Sequence, residues 1–207
     1  MSKIFSENTQ IVILAGGKGT RLSSINKGLP KSLTPILNVP ILEHQIRFCR
    51  SQGFKNFLLV LCYKSKLIKD YFKKNPIPDV KLNYFVENEA GGTGGALFSC
   101  LDLLEEIFFV VYSDTFFTIN FSSFLYRFNQ KLKDENNTLA MILVHPNNHP
   151  GDSDLVELDQ DNKLVALHGY PHESNLSIRN IVNAAYYLLK KELLINSLPF
   201  FVNKSKL

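Results

Sequence analysis

The segment QIVILAGGKGTRL, residues 10–22, decides the fold, because an apolar run ends there in three glycines and two cations. Gln10 to Ala15 is rich in β-branched and apolar residues, which predicts a buried strand. Gly16 to Leu22 follows at once, so backbone N–H groups with little side-chain obstruction stand at the carboxyl end of that strand. Such N–H groups bind anions, and the segment therefore predicts a phosphate-binding loop after the first strand.

Two familiar phosphate-loop motifs do not fit the residues around Lys18. A Walker A loop has Ser or Thr after its lysine, whereas Gly19 follows Lys18. A dinucleotide-binding fingerprint has a third small residue where Leu22 stands, and a tight turn into a helix. The remaining interpretation is a phosphate loop with the cations Lys18 and Arg21, joined by Lys31 ten residues later. The alternative is a solvated glycine turn with surface lysines.

Strand-like and helix-like segments alternate along the rest of the chain. The expected strands are Gln10–Ala15, Phe57–Cys62, Leu82–Val86, Ile107–Tyr112, Leu139–Val144, Leu155–Leu158 and Leu164–Leu167. One helix is expected to begin at Pro40, and others cover Ser65–Lys74, Ala96–Glu106 and Phe121–Leu132, whereas Ile181–Leu189 fits a strand or a helix start. This alternation predicts an α/β fold of three layers, with a mixed, mainly parallel sheet, Rossmann-like crossover helices and Ile107–Tyr112 as a central strand.

Length and charge exclude several classes of protein. The chain has 207 residues, with 23 Lys and Arg against 19 Asp and Glu, for a formal net charge of +4. That small excess forms no basic block, so nucleic acid is not an expected partner. The apolar runs are far shorter than the roughly 20 residues of a membrane span, and the N-terminus does not resemble a signal peptide, so a cytoplasmic protein is expected. Cys49, Cys62 and Cys100 lack C-x-x-C spacing and are expected to be reduced core residues.

Five segments carry a resemblance to a known family. They are LAGGKGTRL at 14–22, LPKSLTPI at 29–36, GTGGA at 92–96, SD at 113–114 and VNA at 182–184. Together they resemble the signature of the sugar-1-phosphate nucleotidyltransferases, also called nucleotide-sugar pyrophosphorylases, over about Gln10 to Leu189. Through HPNNHPGDSDLVE at 145–157, the chain is most similar to the heptose-1-phosphate guanylyltransferases of that family, including versions fused to a histidinol-phosphatase-like phosphatase. The resemblance implies an enzyme.

In the reaction of this family, the anomeric phosphate of a sugar attacks the α-phosphorus of a nucleoside triphosphate in line, and pyrophosphate leaves. The resemblance implies that Arg21 holds the β- and γ-phosphates and that Lys31 bridges the α-phosphate and the sugar phosphate. Positioning and charge neutralisation carry most of the catalysis in such transfers. The implied nucleotide-binding residues of the glycine loop are Leu14, Ala15, Gly16, Gly17, Lys18, Gly19, Thr20 and Arg21.

Asp114 follows the most apolar strand, where a carboxylate is costly unless it meets a cation. We expect it to bind Mg²⁺, which takes oxygen ligands, and so to be a catalytic residue alongside Arg21 and Lys31. The alternative is an aspartate that caps the turn before Phe116.

The base of the nucleotide is expected at Gly92 and Thr93, by resemblance, through backbone and hydroxyl contacts. Glu87, at the end of the third strand, is expected to accept hydrogen bonds from N1 and N2 of guanine, which uracil and thymine cannot match. The alternative is an exposed glutamate at a strand end. This difference matters because Glu87 is the residue on which the predicted choice of base depends.

The sugar phosphate is expected at Lys31, Asp154 and Asn183. By resemblance, Asn183 binds the sugar phosphate or a hydroxyl, and Asp154 is expected to bind a sugar hydroxyl. Ala185 and Tyr170 depart from the family pattern, because they stand where the family has glycine and lysine. The alternative for this region is a metal site formed by His145, His149, Asp152 and Asp154.

The family supplies a second metal-binding aspartate from a later strand, but no Asp follows Asp161 in this chain. The expectation is therefore a single nucleotidyltransferase domain over residues 1–207, truncated at its C-terminal end, or else an incomplete Mg²⁺ site. A homo-oligomer or a phosphatase partner is compatible with this expectation.

The specific prediction is transfer from GTP to D-glycero-D-manno-heptose 1-phosphate, for cell-envelope glycan synthesis. One alternative is a thymidylyl- or uridylyltransferase that acts on a hexose 1-phosphate. A second alternative, permitted by the missing carboxylate, is a catalytically silent nucleotide-sugar sensor or regulatory subunit.

Overall fold

The strand of the opening segment, β1 (Gln10–Ala15), lies between two parallel strands in the computed structural model, which describes residues 8–17, 28–116, 118–135, 137–148, 153–171 and 180–204. Its residues Ile11, Val12 and Ile13 are fully buried, as expected of a strand that is covered on both faces. The structure divides into two compact units, one of Met1–Ala140 with Leu188–Leu207 and the other of Met141–Tyr187. The single domain expected over residues 1–207 stays a prediction.

The elements follow the predicted alternation. The later strands are β2 (Pro35–Ile36), β3 (Val39–Pro40), β4 (Asn56–Leu61), β5 (Lys81–Val86), β6 (Ile107–Tyr112), β7 (Ala140–Pro146), β8 (Leu155–Leu158), β9 (Leu164–His168) and β10 (Ile181–Lys190). The helices are α1 (Ile41–Ser51), α2 (Ser65–Lys74), α3 (Gly92–Ser99), α4 (Phe121–Asp134) and α5 (Lys191–Lys204), and short 3₁₀ turns cover Lys31–Leu33 and Leu101–Leu103. None of these described helices is long and apolar enough to cross a membrane.

The sheet of the first unit has the strand order β5-β4-β1-β6, with all four strands parallel. Four residues of β6, from Phe108 to Val111, have no exposed surface, as predicted for the most hydrophobic run of the chain. Beneath it, Phe54 contacts Phe109 and Phe121 edge to face, with ring centroids 5.7 and 6.1 Å apart. Each such aromatic pair adds about 0.5–1.5 kcal/mol beyond the burial of its rings.

A buried carboxylate links the first two helices of this unit. Glu43 of α1 is only 5% exposed, and it accepts hydrogen bonds from the Tyr71 hydroxyl of α2 at 2.5 Å and from Arg47 Nε at 2.6 Å. A buried charge is tolerated when it is paired and hydrogen-bonded in this way. The network therefore fixes α1, which also carries the buried Gln45, against α2.

The structure differs from the sequence prediction at the third helix and at the C-terminal end of the described chain. The helix expected over Ala96–Glu106 instead begins at Gly92 and ends at Ser99. It begins early because glycine permits close packing there: a Cβ on Gly91 would lie 3.1 Å from the Gly95 Cα. The segment of ambiguous period is the strand β10, and it is followed directly by α5, which the sequence did not predict and which contains Pro199.

The second unit is built from antiparallel pairs. β8 pairs with β9, as the predicted hairpin requires, and with β10 through Val182 and Leu155. β7 also pairs with β10. These pairs make the sheet mixed, so the predicted α/β fold with a mixed, mainly parallel sheet is confirmed.

Candidate active site

A cavity of about 240 Å³ opens in the first unit at the carboxyl ends of its parallel strands. Gly16 and Gly17 follow β1, Glu87 follows β5 and Asp114 follows β6, and these strand ends meet at one edge of the sheet. Ligands in open parallel sheets bind at this edge. The lining residues are Leu14, Gly16, Gly17, Lys31, Val60, Glu87, Ala90, Gly92, Thr93, Ala96, Tyr112, Ser113 and Asp114.

Most of the predicted nucleotide-binding residues that the structure describes lie in this lining. The exception is Ala15, which is 3% exposed within β1 and does not line the cavity. Lys18, Gly19, Thr20 and Arg21 lie outside the described residues. The structure therefore brings together one wall of the predicted site, and the roles of the remaining loop residues stay predictions.

Lys31 and Asp114 form an ion pair at this cavity. Lys31 opens the 3₁₀ turn Lys31–Leu33, and Asp114 lies two residues beyond β6. Each side chain is about one third exposed, so both groups are open to solvent and to a ligand. A cation and a carboxylate at one wall can receive a phosphate and a divalent cation, respectively.

Glu87 lies against the two glycine segments of the cavity. Its Oε1 accepts a hydrogen bond from the Gly91 N–H at 3.3 Å. A Cβ placed on Gly16 would lie 3.2 Å from Glu87 Oε2 and 3.1 Å from the Cys62 Cβ. Gly16 is therefore needed because a side chain there would displace the carboxylate or the neighbouring loop.

Tyr112 is a cavity residue that the sequence analysis missed. Its hydroxyl is hydrogen-bonded to Thr93 Oγ1 at 2.7 Å, so it fixes the hydroxyl expected to contact the base. The signal available in the sequence was weak: Tyr112 is the last residue of β6, directly before Ser113 and Asp114. The face of the sheet on which the Tyr112 side chain lies depends on the strand pairing, which the sequence alone does not fix.

The residues present fit a magnesium ion that is held mainly by its nucleotide. Among the residues that the structure describes, no three His, Cys, Asp or Glu side chains form a cluster for a metal. Asp114 supplies one carboxylate at the cavity. Because Mg²⁺ is usually bound through one or two carboxylates, substrate phosphates and water, a single protein carboxylate is a sufficient donor set.

Asp154 and Asn183 are the predicted sugar-binding residues of the second unit. The side chain of each accepts a hydrogen bond from a backbone N–H group. Asp154 Oδ1 accepts from the Tyr170 N–H at 2.8 Å. Asn183 Oδ1 accepts from the Ala185 N–H at 2.9 Å, while its Nδ2 donates to the Tyr187 hydroxyl at 2.7 Å. Ala185 has a φ of 62°, a left-handed conformation that explains why the family pattern has glycine at this position.

The alternative metal site of the loop after β7 is only partly described. His145 Nδ1 lies 2.7 Å from the Pro146 carbonyl oxygen, and Asp154 is engaged by the Tyr170 N–H. His149 and Asp152 lie outside the described residues. The two described members are thus occupied by backbone groups.

The three cysteines are free thiols, as predicted, but they differ in burial. Cys49 and Cys100 are buried, and burial raises the pKa of each thiol, in Cys100 to about 11. Cys62 follows β4 and is only half-buried, against Gly16. The expectation of a core position therefore holds for two of the three.

Comparisons with known proteins agree with this geometry. A family model described as nucleotidyl transferase matches residues 10–206. A D-glycero-α-D-manno-heptose 1-phosphate guanylyltransferase of Campylobacter jejuni is 33% identical over 184 residues, which are 89% of this chain and 77% of that protein. A bifunctional protein GlmU of Methanococcus maripaludis is also 33% identical, over 91% of this chain, but the chain spans only 42% of its length.

A solved structure agrees as well. HddC from Yersinia pseudotuberculosis, complexed with GMP-PN, has a TM-score of 0.71 and 26% identity, with 90% of this chain and 78% of that chain covered. The fold, the strand-end cavity and the family model thus converge. The chain belongs to the nucleotidyl transferase family, and within it to the sugar-1-phosphate nucleotidyltransferases.

Proposed function

We propose that the chain transfers a guanylyl group from GTP to D-glycero-α-D-manno-heptose 1-phosphate and releases pyrophosphate, for cell-envelope glycan synthesis. The observation that carries the proposal is the place of Glu87 in the cavity wall, beside Gly91 and Gly16. An ionised carboxylate only accepts hydrogen bonds, and guanine offers it two adjacent donors, N1–H and N2–H. Uracil and thymine offer one donor between two carbonyl oxygens, which a carboxylate repels.

The cations of the site act on the phosphates. The Lys31 ammonium has three donors and lies at the cavity, so it can contact the α-phosphate and the sugar phosphate together and reduce their repulsion. Arg21, from the family pattern, holds the β- and γ-phosphates. An oxygen of the sugar phosphate then forms a bond to the α-phosphorus, while the bond from that phosphorus to the bridging oxygen breaks and pyrophosphate takes the electron pair.

Asp114 supplies a carboxylate beside Lys31, one of the cations of the site. It is the residue that would hold the Mg²⁺ accompanying the triphosphate, and its carboxylate faces Lys31 across the wall of the cavity. When bound, such an ion neutralises charge on the phosphate oxygens and on the leaving pyrophosphate. The carboxylate also directs the ammonium of Lys31 along the wall.

The heptose is the part of the proposal that rests most on relatives. The Campylobacter jejuni protein is named for a heptose 1-phosphate, and it matches 89% of this chain. Asp154 and Asn183 keep free acceptor capacity beyond their backbone bonds, since each carboxylate or amide oxygen accepts two hydrogen bonds. That capacity suits the hydroxyls of a sugar.

A second candidate is uridylyl or thymidylyl transfer to a hexose 1-phosphate. A relative of equal identity, the bifunctional protein GlmU of Methanococcus maripaludis, carries a name other than guanylyltransferase, which keeps a second donor and acceptor in view. The two candidates share Lys31 and Asp114 and differ at the base, so Glu87 separates them.

The test is a panel of GTP, ATP, UTP, CTP and dTTP, each offered with heptose 1-phosphate and with a hexose 1-phosphate, with pyrophosphate release as the readout. Wild-type protein should prefer GTP at least tenfold in kcat/KM, because a mismatched base leaves Glu87 unpaired. Glu87→Gln should lose most of that preference. Glu89→Gln, two residues further on and exposed, is the matched control and should keep it.

Two results would count against the proposal. If UTP or dTTP is the best donor of the wild type, the second candidate replaces the guanylyl assignment. If GTP is preferred equally by the wild type and by Glu87→Gln, the donor is right but Glu87 is not the residue that recognises it.

A further inference from the structure

A buried amide of α1 is bonded to the segment that carries Asp114. Gln45 is 2% exposed, and its Nε2 donates to the Tyr112 carbonyl oxygen at 2.9 Å and to the Thr115 carbonyl oxygen at 2.5 Å. A side-chain amide has two N–H donors, and both are used here. Gln45 thus joins a helix of the core to both ends of a four-residue segment.

The orientation of this amide is fixed by its partners. Rotating it by half a turn would place Oε1 against two carbonyl oxygens, which repel it. In the orientation observed, Oε1 is buried and has no hydrogen-bond partner within the described part of the chain. Leaving a buried acceptor unpaired costs about 1–3 kcal/mol, which the two donated hydrogen bonds, at about 0.5–1.5 kcal/mol each, offset.

The two carbonyls that Gln45 binds lie on either side of Ser113 and Asp114. The Ser113 N–H donates to the Leu14 carbonyl oxygen at 3.1 Å, which ties the start of the turn to β1. Thr115 Oγ1 donates to the Tyr112 carbonyl oxygen at 2.9 Å, which closes the turn on itself. Among the described residues, the hydrogen bonds from Gln45 are those that tie the backbone of this turn to a helix.

We propose that Gln45 is a positioning residue, which acts through Asp114 by holding its turn so that the carboxylate is directed to the Mg²⁺ of the bound nucleotide. The inference rests on the proposed function of Asp114. Groups that orient a metal ligand without touching the metal change metal affinity by about 10- to 100-fold when they are removed. Gln45 fits that description because it binds the backbone on both sides of the ligand.

The same helix provides a matched control. Gln52, at the C-terminal cap of α1, donates from Nε2 to the Ile119 carbonyl oxygen at 3.0 Å and accepts from the Phe121 N–H at 2.7 Å. It is therefore a glutamine that ties α1 to the same stretch of chain, at the start of α4 rather than at Asp114. If both glutamines only stabilise the fold, replacing either one should have the same effects. If Gln45 positions Asp114, only the replacement of Gln45 should weaken metal binding.

The experiment compares Gln45→Met and Gln52→Met with the wild type, because methionine keeps the length of the side chain and lacks the donors. Binding of Mn²⁺ in the presence of GTP is measured by electron paramagnetic resonance, and amide hydrogen exchange is followed in the peptide over 112–116. Gln45→Met should weaken Mn²⁺ binding at least tenfold and speed exchange in that peptide. Gln52→Met should lower Tm to a similar degree and leave both readouts as in the wild type.

A graded variant keeps the test decisive if Gln45→Met does not fold. Gln45→Glu has nearly the shape of glutamine and, when protonated, keeps one donor, so its Mn²⁺ affinity should fall between those of the wild type and Gln45→Met. If both Gln45 variants bind Mn²⁺ with wild-type affinity, or if Gln45→Met and Gln52→Met lose the same amount of affinity, the positioning role of Gln45 is wrong. The metal-binding role of Asp114 is not affected by either result. A wild-type protein that binds no Mn²⁺ with any nucleotide overturns the metal role of Asp114 as well.

Discussion

Lys31 and Asp114 lie 83 residues apart in the sequence, yet they form an ion pair at the wall of the cavity. The two side chains are 35% and 34% exposed, and a pair so open to water adds only about 0–1 kcal/mol to stability. Its consequence lies in ligand binding. A phosphate competes with Asp114 for Lys31, and a metal ion competes with Lys31 for Asp114. Whichever ligand binds first therefore frees the residue that the other ligand needs, so the two should bind cooperatively.

Removing either of the two cations proposed to bind phosphate should slow catalysis strongly without unfolding the protein. Lys31→Ala and Arg21→Ala should each lower kcat/KM for nucleotidyl transfer by roughly 10²-fold or more, because charge stabilisation of this kind is worth about 3 kcal/mol. Pyrophosphate release gives the rate and thermal melting gives the stability. Lys74→Ala, at the exposed end of α2, is the control and should match the wild type. Turnover near the wild-type value in either variant removes that residue from the mechanism.

Asp114→Asn distinguishes a metal-binding role of Asp114 from the alternative in which this residue caps the turn before Phe116. The amide has the shape of the carboxylate and lacks its charge, so Mg²⁺-dependent activity should be abolished while the free energy of unfolding changes by less than about 1 kcal/mol. The checks are Mg²⁺ titrations of activity and a thermal melt. A melting temperature many degrees lower would show that Asp114 supports the turn instead, as the capping alternative holds.

The two glycines after β1 should respond differently to an added methyl group. In Gly16→Ala the new Cβ would lie 3.1 Å from the Cys62 Cβ and 3.2 Å from Glu87 Oε2, whereas a Cβ on Gly17 would meet nothing within 4 Å. Overpacking of this kind costs about 1–3 kcal/mol, so Gly16→Ala should lower Tm and raise the KM for the nucleotide as Glu87 moves. Gly17→Ala should leave Tm unchanged in the same melt. Equal Tm values for the two variants would contradict the close approach.

Alkaline unfolding should report on the bond between Tyr71 and Glu43. Burial, followed by the hydrogen bond to Glu43, raises the pKa of Tyr71 from 10.0 to about 12. Between these values the unfolded chain loses the proton that the folded chain keeps, so this contribution to stability is complete below pH 10 and is lost as the pH rises to 12. Urea unfolding across this range should show a shallower decline for Tyr71→Phe than for the wild type. Tyr126→Phe, at an exposed tyrosine, should follow the wild type.

Much of the site could be predicted from the sequence because parallel strands share one carboxyl edge. Gly16 and Gly17, Glu87 and Asp114 each follow a strand that is recognisable by its apolar run, so their meeting needs only the strand order. The family signature placed Lys31 in the same site. Its pairing with Asp114 could not be predicted, because the two residues are 83 positions apart and meet through the tertiary fold.

The parts that were missed depend on packing rather than on local preference. Glycine is a poor helix former, so residues 91–95 predicted a loop, yet the approach of Gly91 to Gly95 Cα makes glycine the residue that fits at the start of α3. Gln45 belongs to the buried face of an amphipathic helix, and nothing in the period of that helix distinguishes a structural amide from one that binds a distant turn. Such roles appear once the carbonyl partners are known.

The unequal burial of the three thiols provides a built-in attachment point for a fluorescent reporter. Thiolates are the reactive form, and burial raises the pKa of Cys49 and Cys100, in the latter to about 11. Cys62 is half-buried beside Gly16, and Gly16 lines the cavity together with Glu87. A maleimide dye added to the unaltered protein should therefore label Cys62 first, and its emission would follow the arrival of the nucleotide base in real time.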